Sequence, residues 1–323
     1  MTHPERVLVI KLSALGDMIL ALPALARIRR AHPAAHITLL TTPPYEALAG
    51  ACPWVDAVET DGRPRTAGAF LALVARLRRA RYHRIYDLQG NDRTNLYFQA
   101  LRPFPPVWSG VAFGCALPHR NPGRMNLHTL ERQGEQLRDA GIWPDAPTRP
   151  GEARSPDVGW MVARASAPAS GGAALAVIVP GASARRPRKL WPADRYGALA
   201  RELLARGFEV VALGGAQDAR LAAVMRTEAP GVRDLTGRTD LFDVAALGAR
   251  ARLAIGNDTG PLHILAAAGA PTVALFSGDS DPALCAPRGR VRILRAKDLR
   301  DLETGPVLAA ALDLLELGDG MTS

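Results

Sequence analysis

Cysteine is scarce. The 323-residue chain has three, Cys52, Cys115 and Cys285. An odd number, set far apart, cannot all pair internally, and no CxxC or Cys/His spacing offers a metal site. Free thiols in a reducing compartment are the expectation. Aromatic residues make up only 5%. No RNP, KH, zinc-finger or homeodomain pattern accompanies the positive charge, so no nucleic acid is expected as a partner. No apolar run is long enough to span a bilayer. The start, Met1 to Arg6, lacks the basic, apolar and small-residue stages of a signal peptide, which predicts a cytoplasmic protein. The dinucleotide fingerprint GxGxxG is missing as well.

What is present points to a packed α/β protein. The length suits two medium domains better than one. Hydrophobic residues at 48% and charged residues at 22% suffice for ordinary cores. The net charge of +9, with a pI near 10.2, favours anionic partners. An anionic membrane surface or a phosphorylated glycolipid fits. An arginine-rich solvated surface gives the same balance.

Short β-rich runs alternate with helical patterns. The first half reads as strands at Val7–Leu12, His36–Thr41, Val55–Glu59 and Arg84–Leu88, with helices at Asp17–Arg30 and Ala67–Ala80. Pro23 inside the first helix marks a kink or a later start. Residues Gly141 to Gly172 are rich in Pro, Ala, Gly and Ser, apart from an apolar piece at Trp160–Val162, and read as an interdomain segment. The second half reads as strands at Leu175–Val179, Phe208–Leu213, Arg252–Ile255 and Pro271–Phe276. Its helices fall at Ala193–Arg206, Gln217–Arg226, Leu241–Ala249, Pro261–Ala268 and Asp301–Leu317. The βαβ rhythm predicts two Rossmann-like parallel-sheet domains, residues 1–150 and 173–323, joined by a linker at 151–172 and facing across a cleft. Ligands in such sheets bind beyond the carboxyl ends of the strands.

Three loops at those ends carry chemistry. The first is Lys11-Leu12-Ser13-Ala14-Leu15-Gly16-Asp17. Asp17 there either takes a proton from an acceptor hydroxyl or caps the helix that follows. Lys11 either meets a phosphate or is a solvated strand-end charge. The second runs from Pro180 to Pro192 with Arg185, Arg186, Arg188 and Lys189, either a solvated charge run or, as its place at a ligand edge favours, a cation cluster for a diphosphate and its leaving-group charge. The third is Gly256-Asn257-Asp258-Thr259-Gly260-Pro261-Leu262-His263, where a helix N-terminus forms an anion site. Asp258 suits sugar or ribose hydroxyls, and Thr259 bonds a phosphate or caps the helix. His263, a lone helical histidine, is more often a structural hydrogen-bonder than a catalyst. Asp279-Ser280-Asp281 spells the DxD of metal-using glycosyltransferases, but before Pro282 it reads as a turn, and no metal is expected. Asp87-Leu88-Gln89-Gly90 follows a strand and lines the acceptor side.

In order along the chain, VLVIKLSALGDMILALPAL, DLQG, PGAS…RKLWP and GNDTGPLHILAAAGAPTVALF resemble glycosyltransferase family 9, the lipopolysaccharide heptosyltransferases. The resemblance implies a GT-B fold and an inverting, metal-independent reaction with no cofactor. It implies ADP-heptose as nucleotide-sugar donor, held by the C-terminal domain through Ser183, Lys189, Asp258, Thr259, Gly260 and His263. It implies a Kdo or heptose hydroxyl of the lipid A core as acceptor, held by the N-terminal domain near Lys11, Ser13, Gly16 and Gln89. Asp17 matches the family's catalytic base. Peripheral contact with the anionic inner face of the inner membrane follows from such an acceptor. Rival readings are a sugar-nucleotide epimerase of the same build, a non-catalytic nucleotide-sugar or glycolipid binder, and a charge-driven nucleic-acid binder.

Overall fold

The computed structural model describes residues 4–147, 149, 152, 154–166, 172–182 and 186–319. The chain divides into two compact units, residues 1–153 and 154–323.

In the first unit the order is β1 (Arg6–Ile10), α1 (Leu15–Leu20), α2 (Leu22–Ala31), β2 (His36–Leu40), α3 (Glu46–Ala51), β3 (Ala57–Glu59), α4 (Ala67–Ala80), β4 (Arg84–Asp87), α5 (Asp92–Ala100), β5 (Val107–Gly110), β6 (Leu117–Pro118) and α6 (Thr129–Asp139). The strands pair in parallel in the order β3-β2-β1-β4-β5-β6. Val7 to Ile10 are all fully buried, because helices cover both faces of the central strand. One expected helix is two. Ala21 closes α1 and opens α2, and Pro23 lies in the first turn of α2. A proline there gives up only an amide that would have no helical partner anyway.

The second unit runs α7 (Gly159–Val162), β7 (Leu175–Val179), α8 (Ala193–Ala205), β8 (Glu209–Ala212), α9 (Ala219–Glu228), β9 (Arg233–Asp234), α10 (Leu241–Arg250), β10 (Ala251–Asn257), α11 (Gly260–Ala267), β11 (Thr272–Phe276), α12 (Pro282–Cys285), β12 (Val291–Arg295) and α13 (Thr304–Asp319). Its parallel sheet is ordered β12-β11-β10-β7-β8-β9. Read from its own first strand, this is the same topology as the first sheet. The apolar piece at 160–162 forms α7, and Trp160 meets Phe242 of α10 edge-on at 6.5 Å. Trp191, Tyr196, Leu199, Met225 and Leu275 belong to this unit's core.

In both sheets the strand order reverses beside the first strand, between β1 and β4 and between β7 and β10. A crevice opens at the carboxyl ends at such a reversal, because the connections leave on opposite faces. The loops after these four strands hold residues 11–17, 87–91, 180–192 and 257–260. Topology thus carries the motif loops to the two places where ligands bind. No helix among the described residues is long and apolar enough to cross a membrane.

Candidate functional site

In the first unit, side chains from neighbouring strand ends fix the loop after β1. The Leu12 amide donates to Gln89 Oε1 at 2.9 Å, and the Leu12 carbonyl accepts from Thr42 Oγ1 at 3.0 Å. Arg63 bonds the Ser13 hydroxyl. Gly62 closes the loop from the β3 side, its amide bonding the Thr41 carbonyl at 3.0 Å. Asp17 is the third residue of α1 rather than its N-cap, which is Ala14. Its Oδ2 accepts from the Ala14 amide at 3.1 Å, so the helix start and the carboxylate position each other. Asp17 is half-buried and Gly16 lies beside it in the first turn.

Behind that loop stand Lys11, 2% exposed, and Asp87, fully buried. Burial lowers the Lys11 pKa, Asp17 and Asp87 act against it, and Arg132 adds to it. Burial pushes the Asp87 carboxyl up to about 6, against hydrogen bonds from Thr94, Gly90 and Gln89 and the Lys11 charge. Asp87 Oδ1 takes the Gln89 and Gly90 amides at 3.1 and 3.0 Å. Next to Gln89 opens a pocket of 180 Å³ lined by Asn91, His119, Arg124, Arg132 and Gln133 among others. Gln133 is 3% exposed, and neither its oxygen nor its nitrogen has a partner. A buried amide left so is costly unless a ligand or water completes it.

In the second unit the organising residue is Asn257, the last of β10 and fully buried. Its Nδ2 donates to the Pro180 and Gly181 carbonyls at 2.9 and 3.1 Å. Its Oδ1 accepts from the Trp191 amide at 3.3 Å and the Tyr196 hydroxyl at 3.0 Å. One amide therefore ties both ends of the cation loop to β10. Asp258 follows. Its Oδ2 is bonded by the Lys189 ammonium, and by Ser280 Oγ at 2.8 Å. His263 Nε2 stands 3.8 Å from Oδ1, and His263 Nδ1 is buried without a partner. Burial pushes the Asp258 carboxyl up, but His263, Lys189 and Ser280 outweigh it and hold it at about 2. Lys189 itself is only 7% exposed. The ammonium has three protons and Asp258 takes one.

Thr259 is the N-cap of α11 by position, yet its hydroxyl donates to the Asn257 carbonyl at 3.2 Å and makes no cap bond. Pro261 has no amide hydrogen and the Leu262 amide bonds the Thr259 carbonyl at 3.2 Å, so it is the Gly260 amide that the start of α11 leaves without a side-chain acceptor, and the helix presents its positive end beside Lys189 and Asp258. Asp281 caps α12 through the Ala283 amide at 3.0 Å, which leaves Ser280 facing Asp258. No group of three or more His, Cys, Asp or Glu that could hold a metal occurs among the described residues. Ser183 lies outside the described residues.

The structure thus gathers Lys11, Ser13, Gly16, Asp17 and Gln89 in one unit, and Lys189, Asp258, Thr259, Gly260 and His263 in the other. Sequence reasoning gave no role to Asn257, Ser280, Thr42 or Gln133. Of these, Asn257 had a signal. An amide at the buried end of a parallel strand is expected only where it has backbone to hold.

Comparison with known proteins bears on the family and the fold. Residues 120–299 match the sequence model of glycosyltransferase family 9 (heptosyltransferase). Lipopolysaccharide heptosyltransferase 2 of Escherichia coli strain K12 is 35% identical over 115 residues, 34% of this chain and 33% of that protein. The chain therefore matches about a third of that relative's length. Lipopolysaccharide heptosyltransferase 3 of Escherichia coli is 25% identical over 280 residues, 81% of this chain and 80% of that protein. The solved structure of E. coli ADP-heptose LPS heptosyltransferase II superposes with a TM-score of 0.77 at 24% identity, covering 97% of this chain and 99% of that one. The fold is of the GT-B class.

Proposed function

Because the chain belongs to glycosyltransferase family 9, the heptosyltransferase family, we propose that it is a lipopolysaccharide heptosyltransferase. It moves heptose from ADP-heptose to the inner core in a single inverting displacement that needs no metal. The relatives' names supply the substrate class. The observation that carries the chemistry is the juxtaposition, at the reversal point of the second sheet, of the buried Lys189 ammonium with the uncapped start of α11.

The donor's diphosphate sits on that pair. Lys189 keeps two protons for phosphate oxygens beyond the one given to Asp258, and the Gly260 amide supplies a further donor. Asp258, ionised, also accepts from sugar or ribose hydroxyls. The acceptor is held by the first unit. Its sugar-acid carboxylate faces Arg124 and Arg132 in the pocket beside Gln89, and a hydroxyl completes Gln133. Ala14 holds Oδ2 of Asp17, which leaves Oδ1 for the acceptor proton. As that proton transfers, the acceptor oxygen bonds the anomeric carbon from the face opposite the diphosphate, and the bond to the diphosphate breaks. Lys189 and the positive start of α11 at the Gly260 amide meet the charge that grows on the leaving ADP, the role a metal plays elsewhere. The lipid-borne acceptor places the work at the cytoplasmic face of the inner membrane.

The test is Asp17→Asn. Asparagine keeps an oxygen for the Ala14 amide, so the loop stays formed. Transfer to deep-rough lipopolysaccharide is expected to fall by about 10²–10⁴-fold, with ADP affinity unchanged. A variant that transfers normally, or one that loses ADP binding while folded, overturns the assignment.

A further inference from the structure

The chain's positive charge is not spread evenly. Residues 62–130 carry eleven arginines, no lysine and two carboxylates, Asp87 and Asp92. Their excess of nine equals the net charge of the whole chain, +9. Asp87 is fully buried, so it screens little of this at the surface. Arg76 is neutralised by Glu59 and Asp61. Arg78 and Arg102 are not: Arg78 donates to the Ala100 and Arg102 carbonyls at 2.7 and 3.1 Å, and Arg102 to Gln99 Oε1 at 3.4 Å.

These arginines surround an open groove of 560 Å³ between the end of α4 and the segment leading into β5. Arg78, Arg81 and Arg102 line it, together with Pro103, Phe104 and Pro106. Phe104 is 91% exposed. Phe113, 87% exposed, is tied to the same place, since Gln99 Nε2 donates to its carbonyl at 3.1 Å and Arg102 reaches Gly114. Two phenylalanines in water, on short loops among unpaired guanidinium groups, gain nothing from solvent.

We propose that this groove and its two phenylalanines dock the protein on an anionic phospholipid bilayer. The arginines meet lipid phosphates, and Phe104 and Phe113 enter the boundary between headgroups and acyl chains. Nucleic acid offers phosphates and base faces that stack on phenylalanine as well; the lipid-borne acceptor of the proposed reaction favours the bilayer, and single-stranded RNA is the competing arm of the test. The groove lies at the amino-terminal edge of the first sheet, between the end of α4 and the start of β5, and Phe113 stands on the loop that follows β5. The proposal extends the reading of a membrane-held acceptor. Its test involves no transfer step, so it can fail while that reading stands.

The full chain is co-sedimented with vesicles of phosphatidylcholine alone and of phosphatidylcholine with phosphatidylglycerol. Binding is expected only with phosphatidylglycerol, and falls as salt rises. Phe104→Ala with Phe113→Ala, and separately Arg78→Ser with Arg81→Ser, are each expected to weaken it about tenfold or more. All four side chains are exposed, and only Arg78 gives up hydrogen bonds within the fold, to the Ala100 and Arg102 carbonyls, so the melting temperature should move little and serves as the folding control. Equal binding to neutral vesicles, wild-type binding by both double variants, or binding to single-stranded RNA with none to vesicles overturns the proposal.

Discussion

Lys11 and Lys189 are two of the chain's three lysines, the other 37 cations being arginine, and both are buried. Arginine stays charged in any surroundings, whereas lysine is a compact charge that burial can tune. The composition already held this signal, because a chain that otherwise uses arginine keeps lysine at two motif loops. Lys189 and Asp258 form a buried pair, and removing one partner strands the other's charge. Lys189→Ala is expected to cost on the order of 3 kcal/mol in urea unfolding at pH 7. The folded Asp258 pKa lies below its ordinary value, at about 2. The pair's stabilisation is therefore fully present above pH ~4 and is lost as pH falls toward the folded value. The gap between wild type and variant should shrink below pH ~4, which unfolding curves at stepped pH will show.

At the scale of elements, close approach decides more than propensity. A Cβ on Gly248 would lie 2.9 Å from both Leu265 Cα and Ala268 Cβ, where α10 meets the end of α11. Gly50 in α3 has nothing within 4 Å. Gly248→Ala is expected to cost about 1–3 kcal/mol, and Gly50→Ala to be neutral or stabilising by about 0.4–1 kcal/mol, by urea melts of each. Elements with a clear apolar period were legible in the sequence. Ala67–Ala80 and Leu175–Val179 are helix and strand to the residue. Helix α6 was not, because it buries Glu131, Gln133 and Gln136 among its apolar residues, which erases the period. Strand β12 was hidden for the opposite reason. It is an edge strand with much of its surface in solvent, and arginines interrupt its apolar pattern. The site was legible as loops and not as bonds. Sequence order placed Gln89 and Thr259 near chemistry, but only geometry shows Gln89 holding the Leu12 amide and Thr259 bonding back to Asn257.

Over the whole molecule, ligand binding should read out as stability. A nucleotide that binds only the folded chain raises its free energy of unfolding by mass action, by about 2.7 kcal/mol at a hundredfold excess over Kd. ADP is expected to raise the melting temperature of the wild type, UDP and GDP to do so less, and Lys189→Ala to abolish the rise. A thermal scan with each nucleotide checks this. The two sheets share one strand order, and each keeps its reactive residues in loops that hang from the point where that order turns back. On the reading proposed, what is given away and what receives it are therefore written in separate stretches of text. Edits at 180–192 and 257–260 would retune the gift, edits at 11–17 and 87–91 its recipient, and neither need disturb a framework that the chain has, in effect, used twice.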